Sequence, residues 1–399
     1  MFKKFFVVAL VLMMVLSACT TAEEKAEVPE VCGTDAFGCA VFTKTDPIKV
    51  GYAGPLAGDY AAYGQDQVNA MLLAIKDAGD ILGWTIEMVA EDDGASAEGG
   101  AAVANKMVSD PLFVAIAGPA FSGDSAAAIP IFEKAGIPMM SPSATNPDLT
   151  AKGSKVFNRN AFTDVDQARA ASAYLFDTAG VRKIAILHDG GDYGQGIANG
   201  VQENFTTAGG EVVAFEAITS GEADYSAVLA AVASNSPEAI YYGGYNAEAS
   251  VLVNQMKQAG LENVIFFGGD GIYGTDFLTK AGANGEGALC TTMVPPASDA
   301  RTKFDEAFVA AYGVEPGTIT AYTWGSYDAL AVLLHVIEQV AVVSGDTLYI
   351  PRGALVDAVR NVKDFQGVAG TISCQATGEC NASGPIIYNV KDGEWVVVE

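Results

Sequence analysis

The segment from Gly118 to Thr145 constrains the fold more than any other part of the chain. It reads GPAFSGDSAAAIPIFEKAGIPMMSPSAT, and it joins an apolar run ending at Ala117 to a helical pattern opened by Ser125 and then to a short apolar strand. This order predicts a β–α–β unit with a hydroxyl-bearing loop after each strand. Because open parallel sheets bind ligands outside the carboxyl ends of their strands, the loops around Ser122 and Thr145 are predicted to form half of a small-molecule site.

The rest of the chain repeats the alternation of apolar strands and amphipathic helices. One series begins at Ile48 and a second begins after Arg159. Strands that alternate with helices in this way indicate a parallel, doubly wound sheet, and a chain of 399 residues suits two domains. We therefore predict an α/β protein of two similar doubly wound parallel-sheet lobes.

Three strand ends in the second series are predicted to supply the other half of the small-molecule site. Each is rich in glycine, which lets a loop approach a ligand closely, and they present Tyr193, Tyr245 and Asp270. One such loop alone would be an ordinary turn, but three at equivalent strand ends favour a binding site. Hydroxyls and helix-start N–H groups near Ser122 and Thr145 would hold a carboxylate, and Asp270 would hold an ammonium. The aromatic residues that would wall the side-chain pocket are Tyr63, Tyr193, Tyr245 and Tyr322.

Charge and motif content exclude several other classes. The formal net charge is −26, whereas nucleic-acid binding requires a basic surface. Only two histidines are present, which excludes a multi-histidine metal site in one chain, and no CxxC spacing supports zinc. No P-loop, zinc-protease or GxSxG motif occurs, and we predict neither a cofactor nor a catalytic residue. A surface hydrolase using Ser122 and His188 is the alternative from another class, although a histidine that ends an apolar strand is more often structural.

The N-terminus has the features of an export signal. Lys3 and Lys4 precede an apolar run from Phe5 to Leu16, which is shorter than the ~20 residues needed to span a bilayer. The ending Leu-Ser-Ala-Cys resembles a bacterial lipobox, which implies a signal peptide over residues 1–18 and a lipid on Cys19. An ordinary secretory signal or an uncleaved anchor is the alternative. Residues 19–46 would then form a tether outside the cytoplasm.

The remaining cysteines suit an oxidising compartment. Cys32 and Cys39 are close in sequence, as are Cys374 and Cys380, and each pair is a plausible local disulfide. Cys290 lies in an apolar run and is predicted to be a buried thiol.

Several segments together resemble the leucine/isoleucine/valine-binding proteins of ABC importers. The likeness covers nearly all of the chain from Ile48 onward. The segments that carry it are 61–64 (AAYG), 103–108 (VANKMV), 141–147 (SPSATNP), 188–194 (HDGGDYG), 217–222 (AITSGE) and 241–245 (YYGGY). The resemblance implies the type I periplasmic-binding-protein fold, a ligand in the cleft between two lobes, and a closed form that docks on an ABC permease.

The resemblance also implies roles for individual residues. The carboxylate-holding serine and threonine of the family correspond to Ser122 and Thr145, while Ser143 and Ala144 offer backbone atoms. Its aromatic pocket residues correspond to the four tyrosines named above. Its ammonium-binding acid, a glutamate in the best-known members, corresponds to Asp270, which keeps the charge on a shorter arm. Phe121 stands where some members have one cysteine of a lobe disulfide.

The topology implied by the resemblance makes both lobes discontinuous. Three crossings near Phe162, Cys290 and Phe365 would give a first lobe of residues 47–162 and 291–365 and a second of residues 163–290 and 366–399. The predicted function is a monomeric, lipid-anchored receptor for an apolar, branched-chain amino acid, held in a periplasm or on a cell surface. A receptor for an amide, urea or another small carboxylate is the alternative among binding proteins.

Overall fold

A computed structural model describes residues 27–380 and 384–398 of the chain. The predicted signal peptide and Cys19 lie outside these residues. The described chain forms two α/β lobes, each built on its own sheet, so the predicted fold class is confirmed.

The first lobe is built on five parallel strands in the order β3-β2-β4-β5-β6. Its strands are β2 (Ile48–Gly54), β3 (Ile86–Asp92), β4 (Phe113–Ala117), β5 (Met139–Ser141) and β6 (Phe157–Arg159). The intervening helices are α2 (Ala61–Ala78), α3 (Ala97–Val108), α4 (Ser122–Ala135) and α5 (Asp148–Ala151). Later parts of the chain return to this lobe as α11 (Asp299–Tyr312), α12 (Thr323–Val340), β12 (Val342–Ser344), β13 (Thr347–Pro351), α13 (Arg352–Arg360), β14 (Phe365–Gln366) and β15 (Thr371–Ile372).

The second lobe has seven strands in the order β17-β16-β11-β10-β9-β7-β8, and neighbours pair parallel except at β16, which pairs antiparallel with both β11 and β17. Its strands are β7 (Lys183–His188), β8 (Glu211–Ala217), β9 (Ala239–Gly243), β10 (Ile265–Gly268), β11 (Leu289–Thr292), β16 (Ile386–Lys391) and β17 (Glu394–Val397). Its helices are α6 (Asp164–Ala173), α7 (Asp192–Thr207), α8 (Ser226–Ser234), α9 (Asn246–Met256) and α10 (Thr275–Ala281). Apolar side chains fill both faces of each sheet, as the near-continuous apolar strands predict.

The segment before the first lobe differs from the predicted tether. Residues Glu30–Thr34 form helix α1, and Cys39–Phe42 form strand β1, which pairs antiparallel with β13. Ala40 and Phe42 are buried in the core of the first lobe, and the Asp35 carboxylate accepts hydrogen bonds from the first N–H groups of α13. The alternation of Ala40 and Phe42 with exposed Val41 is a period-two pattern, but the partner strand lies about three hundred residues away in sequence, so only the fold reveals it.

The third crossing between the lobes also differs from the prediction. Residues 366–380 pack on the first lobe, since Ile372, Cys374 and Cys380 belong to its core. Glu379 pairs with Arg159 of β6, with 2.6 Å between Nη2 and Oε1. The chain therefore enters the second lobe after Cys380 rather than near Phe365.

The cysteines of the described residues agree with the prediction from sequence. Disulfides join Cys32 to Cys39 and Cys374 to Cys380, the same pairs that the sequence suggests. Cys290 is buried in β11, and this burial raises the pKa of its thiol. Over residues 27–380 and 384–398, we find no helix with the length and apolar content needed to cross a membrane.

Replacing Phe42 by Ala tests whether β1 belongs to the folded lobe. Because Phe42 is fully buried, the Phe42→Ala variant should lose about 3–5 kcal/mol of unfolding free energy in urea denaturation. The control is Val41→Ala on the same strand, where the side chain is exposed and the expected loss is below about 1 kcal/mol. Equal, small losses would mean that the segment is a tether after all.

The Arg159–Glu379 pair predicts a pH-dependent stability. Partial burial opposes ionisation of Glu379, but the hydrogen bonds and charge of Arg159 outweigh it and lower the pKa of Glu379 below its ordinary value. Since Arg159 is fully buried, Glu379→Gln should cost about 3 kcal/mol near pH 7. Because the pKa of Glu379 is lower in the folded protein than in the unfolded chain, its ionised form stabilises the fold at pH values above the unfolded pKa of about 4.3. The difference in unfolding free energy between wild type and Glu379→Gln should therefore shrink as the pH falls below that value.

Urea denaturation of wild type and Glu379→Gln at several pH values measures this difference. Exposed Glu203 provides the matched control, and Glu203→Gln should change stability by less than about 0.5 kcal/mol at any pH. A Glu379→Gln difference that stays constant down to pH 3 would contradict the assignment.

Candidate ligand-binding site between the lobes

The carboxyl ends of the strands of both lobes face a shared cleft. On the first lobe, β4 leads into the start of α4, where Ser122 is the first helical residue and the free N–H groups of the helix begin. The Ser122 hydroxyl accepts a hydrogen bond of 3.2 Å from the N–H of Asn146, which ties this helix start to the loop after β5. Helix N-termini favour anions, so this corner can receive a carboxylate.

The buried guanidinium of Arg159 holds the loop after β5 in place. The Nη1 atom of Arg159 donates to the carbonyl oxygens of Ala144 and Asn146, at 3.0 and 2.7 Å. The Ser143 hydroxyl donates to the carbonyl of Ala120 and accepts from the side-chain amide of Gln67, at 2.7 and 2.8 Å. These bonds restrain the loop that carries the buried Thr145, and the hydrogen bond from Asn146 to Ser122 holds this loop against the start of α4.

On the second lobe, Asp270 begins a short 3₁₀ helix directly after β10 and is buried. Its Oδ1 accepts from the hydroxyl of Tyr193 at 2.9 Å, and its Oδ2 accepts from the hydroxyl of Tyr322 at 2.8 Å. Tyr322 precedes α12 of the first lobe, so this carboxylate already contacts both lobes. Burial raises the pKa of Asp270, and the hydrogen bonds from Gln167, Tyr322 and Tyr193 oppose that rise.

A second buried acid lies beside Asp270. The side-chain amide of Gln167 donates to Oδ1 of both Asp164 and Asp270, while its carbonyl oxygen accepts from the Thr291 hydroxyl and the Asp270 N–H. Burial and then the charge of Asp270 raise the pKa of Asp164 to about 8. Asp164 is therefore largely neutral near pH 7. The Thr145 hydroxyl also lies near Asp164 and partly offsets that rise in pKa, which links the two sides of the cleft.

Aromatic rings form the wall between these polar ends. The ring of Phe121 lies 5.1 Å from that of Tyr63 and 4.6 Å from that of Tyr245, between ring centroids. Tyr193 lies 5.1 Å from Tyr245. Burial raises the pKa of the Tyr63 phenol, and Asp270 contributes to the rise, so Tyr63 of the first lobe lies within electrostatic range of the acid on the second.

The lobes touch across this cleft, which gives the structure a closed arrangement. The Asn146 side chain donates to the carbonyl of Asp192 at 2.5 Å, and the hydroxyl of Tyr60 donates to Glu248 at 3.1 Å. A cavity of about 250 Å³ remains at the mouth, between Phe121 of one lobe and Asp189 of the other.

The structure brings the residues predicted for the binding site to one cleft. Ser122, Ser143, Ala144 and Thr145 form the floor on the first lobe, Tyr193, Tyr245 and Asp270 come from the second, and Tyr63 and Tyr322 lie between. His188 instead packs on Phe215 and accepts a hydrogen bond from the N–H of Gly190. Among the hydrogen bonds of the described residues, none joins His188 to Ser122.

Sequence reasoning missed the residues that support the site. These are Tyr60, Phe121, Asp164, Gln167 and Glu248. The Asp164-x-x-Gln167 spacing at the start of a helix was a usable signal, because such spacing places two polar groups on one helix face. On the other lobe, Tyr60 contacts Glu248 and Phe121 contacts Tyr245, and these partners are more than a hundred residues away, so no local pattern marks them.

Comparison with known proteins agrees with this architecture. The family described as periplasmic binding protein matches residues 47–394. A Leu/Ile/Val-binding protein of Citrobacter freundii is 33% identical over 73% of this chain and 79% of its own length.

Two solved structures superpose on nearly the whole described chain. A leucine-binding protein from Thermotoga maritima has a TM-score of 0.80 and 29% identity, and the match covers 88% of this chain and 98% of that one. A branched-chain amino acid transporter substrate-binding protein from Streptococcus pneumoniae, in complex with isoleucine, has a TM-score of 0.76 and 28% identity over 88% and 99% of the two chains. The chain therefore belongs to the periplasmic binding protein family and, within it, to the Leu/Ile/Val-binding proteins.

Proposed function

We propose that the protein captures an apolar, branched-chain amino acid between its lobes and delivers it to the permease of an ABC importer. The observation that carries this proposal is the buried carboxylate of Asp270, which lies across the cleft from a helix N-terminus. A ligand with a negative and a positive end satisfies both sides at once.

The two polar ends define an α-amino acid. The N–H groups at the start of α4, with the Ser122 and Thr145 hydroxyls, take the carboxylate. Asp270 takes the ammonium, whose positive charge favours the ionised form of this buried acid, while Asp164 stays largely neutral near pH 7. The backbone atoms of Ser143 and Ala144 complete the loop that receives the ligand.

The aromatic wall selects the side chain. Tyr63, Tyr245 and Phe121 present ring faces that an apolar side chain covers without losing hydrogen bonds. An amide, urea or a carboxylate without an amine is the weaker alternative, because it would leave the buried Asp270 charge without a partner.

Delivery requires that the protein work outside the cytoplasm beside its permease. The export signal and the Leu-Ser-Ala-Cys sequence support a lipid on Cys19, and the two disulfides support an oxidising compartment. The proposed protein is a monomer held to the membrane surface by this lipid. The relatives named above support the amino-acid class, since their names specify leucine, isoleucine or valine.

Removing the Asp270 charge tests the proposed function. The Asp270→Asn variant keeps the size of the side chain but leaves a bound ammonium unpaired, so the binding free energy should weaken by about 2–5 kcal/mol. Isothermal titration calorimetry with L-leucine, L-isoleucine and L-valine measures it. Asp177→Asn, at an exposed site on the same lobe, should leave the affinity unchanged.

The same titrations separate the alternatives. Asp270→Asn with wild-type affinity for the amino acids would reject the role of Asp270. Tighter wild-type binding of urea or of 4-methylpentanoate, which is leucine's carbon skeleton without the amine, would favour the alternative receptor.

Replacing Cys19 by Ser tests the membrane attachment. Without the sulfur that carries the lipid, the Cys19→Ser protein should be recovered in the soluble fraction or remain unprocessed, whereas Cys290→Ser should stay in the membrane fraction. Fractionation followed by mass spectrometry of the N-terminal peptide gives the readout. Normal membrane attachment of Cys19→Ser would refute lipidation at this position.

A further inference from the structure

We propose that Tyr60 and Glu248 form a latch, supported by the rings of Phe121 and Tyr245, that holds the lobes closed over the ligand and sets its dissociation rate. The inference rests on the proposed function. Tyr60 and Glu248 act as positioning residues, because they hold the two walls of the cleft together at its mouth.

The polar part of the latch is one hydrogen bond between lobes. The Tyr60 hydroxyl, in the 3₁₀ turn before α2, donates to Oε2 of Glu248 on α9 at 3.1 Å. The other oxygen of Glu248 accepts from the N–H of Gly221 at 3.0 Å, which fixes the carboxylate within its own lobe. Burial and then Glu248 raise the pKa of Tyr60, so its hydroxyl remains a donor.

The apolar part of the latch is a set of ring contacts. Tyr245 of the second lobe lies 5.5 Å from the ring of Tyr60 and 4.6 Å from that of Phe121, both of the first lobe. Tyr60 and Phe121 are themselves 5.8 Å apart, edge to face. Ring pairs in such arrangements contribute beyond their buried area.

The contacts of Tyr245 and Glu248 with Tyr60 and Phe121 exist only while the lobes are together. Tyr60 and Phe121 belong to the first lobe, Tyr245 and Glu248 to the second, and the sequence separation between the hydrogen-bonded pair is 188 residues. Opening the cleft breaks these interlobe contacts at once and leaves the Tyr60–Phe121 contact within the first lobe. A contact made only in the closed state stabilises that state and slows ligand release, but it cannot speed the first encounter.

Acidic residues from both lobes line the cavity beside the latch. Burial, with the charge of Glu248 contributing, raises the pKa of Asp189 to about 6, so Asp189 still carries charge at neutral pH. Asp189 lines the mouth cavity together with Asp124 of the opposite lobe. Glu248 is the acid of this region that receives an interlobe donor, from Tyr60.

A double-mutant cycle tests the latch. Tyr60→Phe keeps the ring and removes the hydroxyl, and Glu248→Gln removes the charge. Stopped-flow release of the tightest-bound of L-leucine, L-isoleucine and L-valine should be about five- to tenfold faster in each single variant, with association within about twofold of wild type. The double variant should release no faster than the faster single variant, because both remove one interaction.

The chain supplies a matched control within one lobe. The hydroxyl of Tyr327 on α12 donates to Asp77 of α2 at 2.9 Å, and both residues belong to the first lobe. In the Tyr327→Phe and Asp77→Asn cycle, the effects on the melting temperature of the ligand-free protein should be non-additive, and the release rate should be unchanged. In the Tyr60→Phe and Glu248→Gln cycle, the effects on the release rate should be non-additive, and the melting temperature of the ligand-free protein should be unchanged.

The outcomes separate this inference from the proposed function. A wild-type protein that binds none of the three amino acids overturns both. Wild-type binding with an unchanged release rate in Tyr60→Phe, or with effects that simply multiply in the double variant, overturns the latch alone. If Tyr60→Phe lowered both the melting temperature of the ligand-free protein and the association rate, Tyr60 would have only a structural role. That result would also overturn the latch.

Discussion

Burying a carboxylate between two lobes removes a charge from water, and several kcal/mol are lost unless other groups compensate. Asp270 meets this constraint with donors from three separate elements: α6 gives Gln167, the start of α7 gives Tyr193, and the segment before α12 gives Tyr322. Since Tyr322 belongs to the other lobe, full compensation requires the lobes to be close. The position of the acid thereby couples the electrostatics of the site to the arrangement of the lobes.

On the opposite side of the cleft, a buried cation is compensated by hydrogen-bond acceptors in the same way that Asp270 is compensated by donors. Arg159 is fully buried, and its guanidinium is satisfied by Glu379, by Thr150 and by two carbonyls of the loop after β5. Glu379 comes from the last segment before the chain crosses to the second lobe. The loop proposed to receive the ligand carboxylate is therefore held in place because a distant part of the sequence neutralises the cation that binds it.

These dependencies explain what the sequence could predict. Apolar strands followed by glycine and hydroxyl loops were sufficient to predict the two α/β lobes, because each signal is local. The same loops supply Ser122, Tyr193, Tyr245 and Asp270, the residues proposed for the site. Phe42 and the segment around Glu379 were assigned to the wrong environment, since their partners are remote in sequence. Gln167 was missed for a related reason: a glutamine in a helix is ordinary until the fold brings two acids to its amide.

The balance between opening and closing follows from the acidic character of the protein. With a net charge of −26, bringing the lobes together raises the density of negative charge at the cleft mouth, and closure without a ligand is opposed. A hydrogen bond to a charged group and a few ring contacts are each worth about 1–3 kcal/mol, which is comparable to such a repulsion. A much stronger latch would seal an empty site, since a ligand shifts the equilibrium only by its differential affinity for the closed state. Contacts of modest strength at the mouth therefore leave closure dependent on the proposed zwitterionic ligand, whose two charges would bind the two lobes at once.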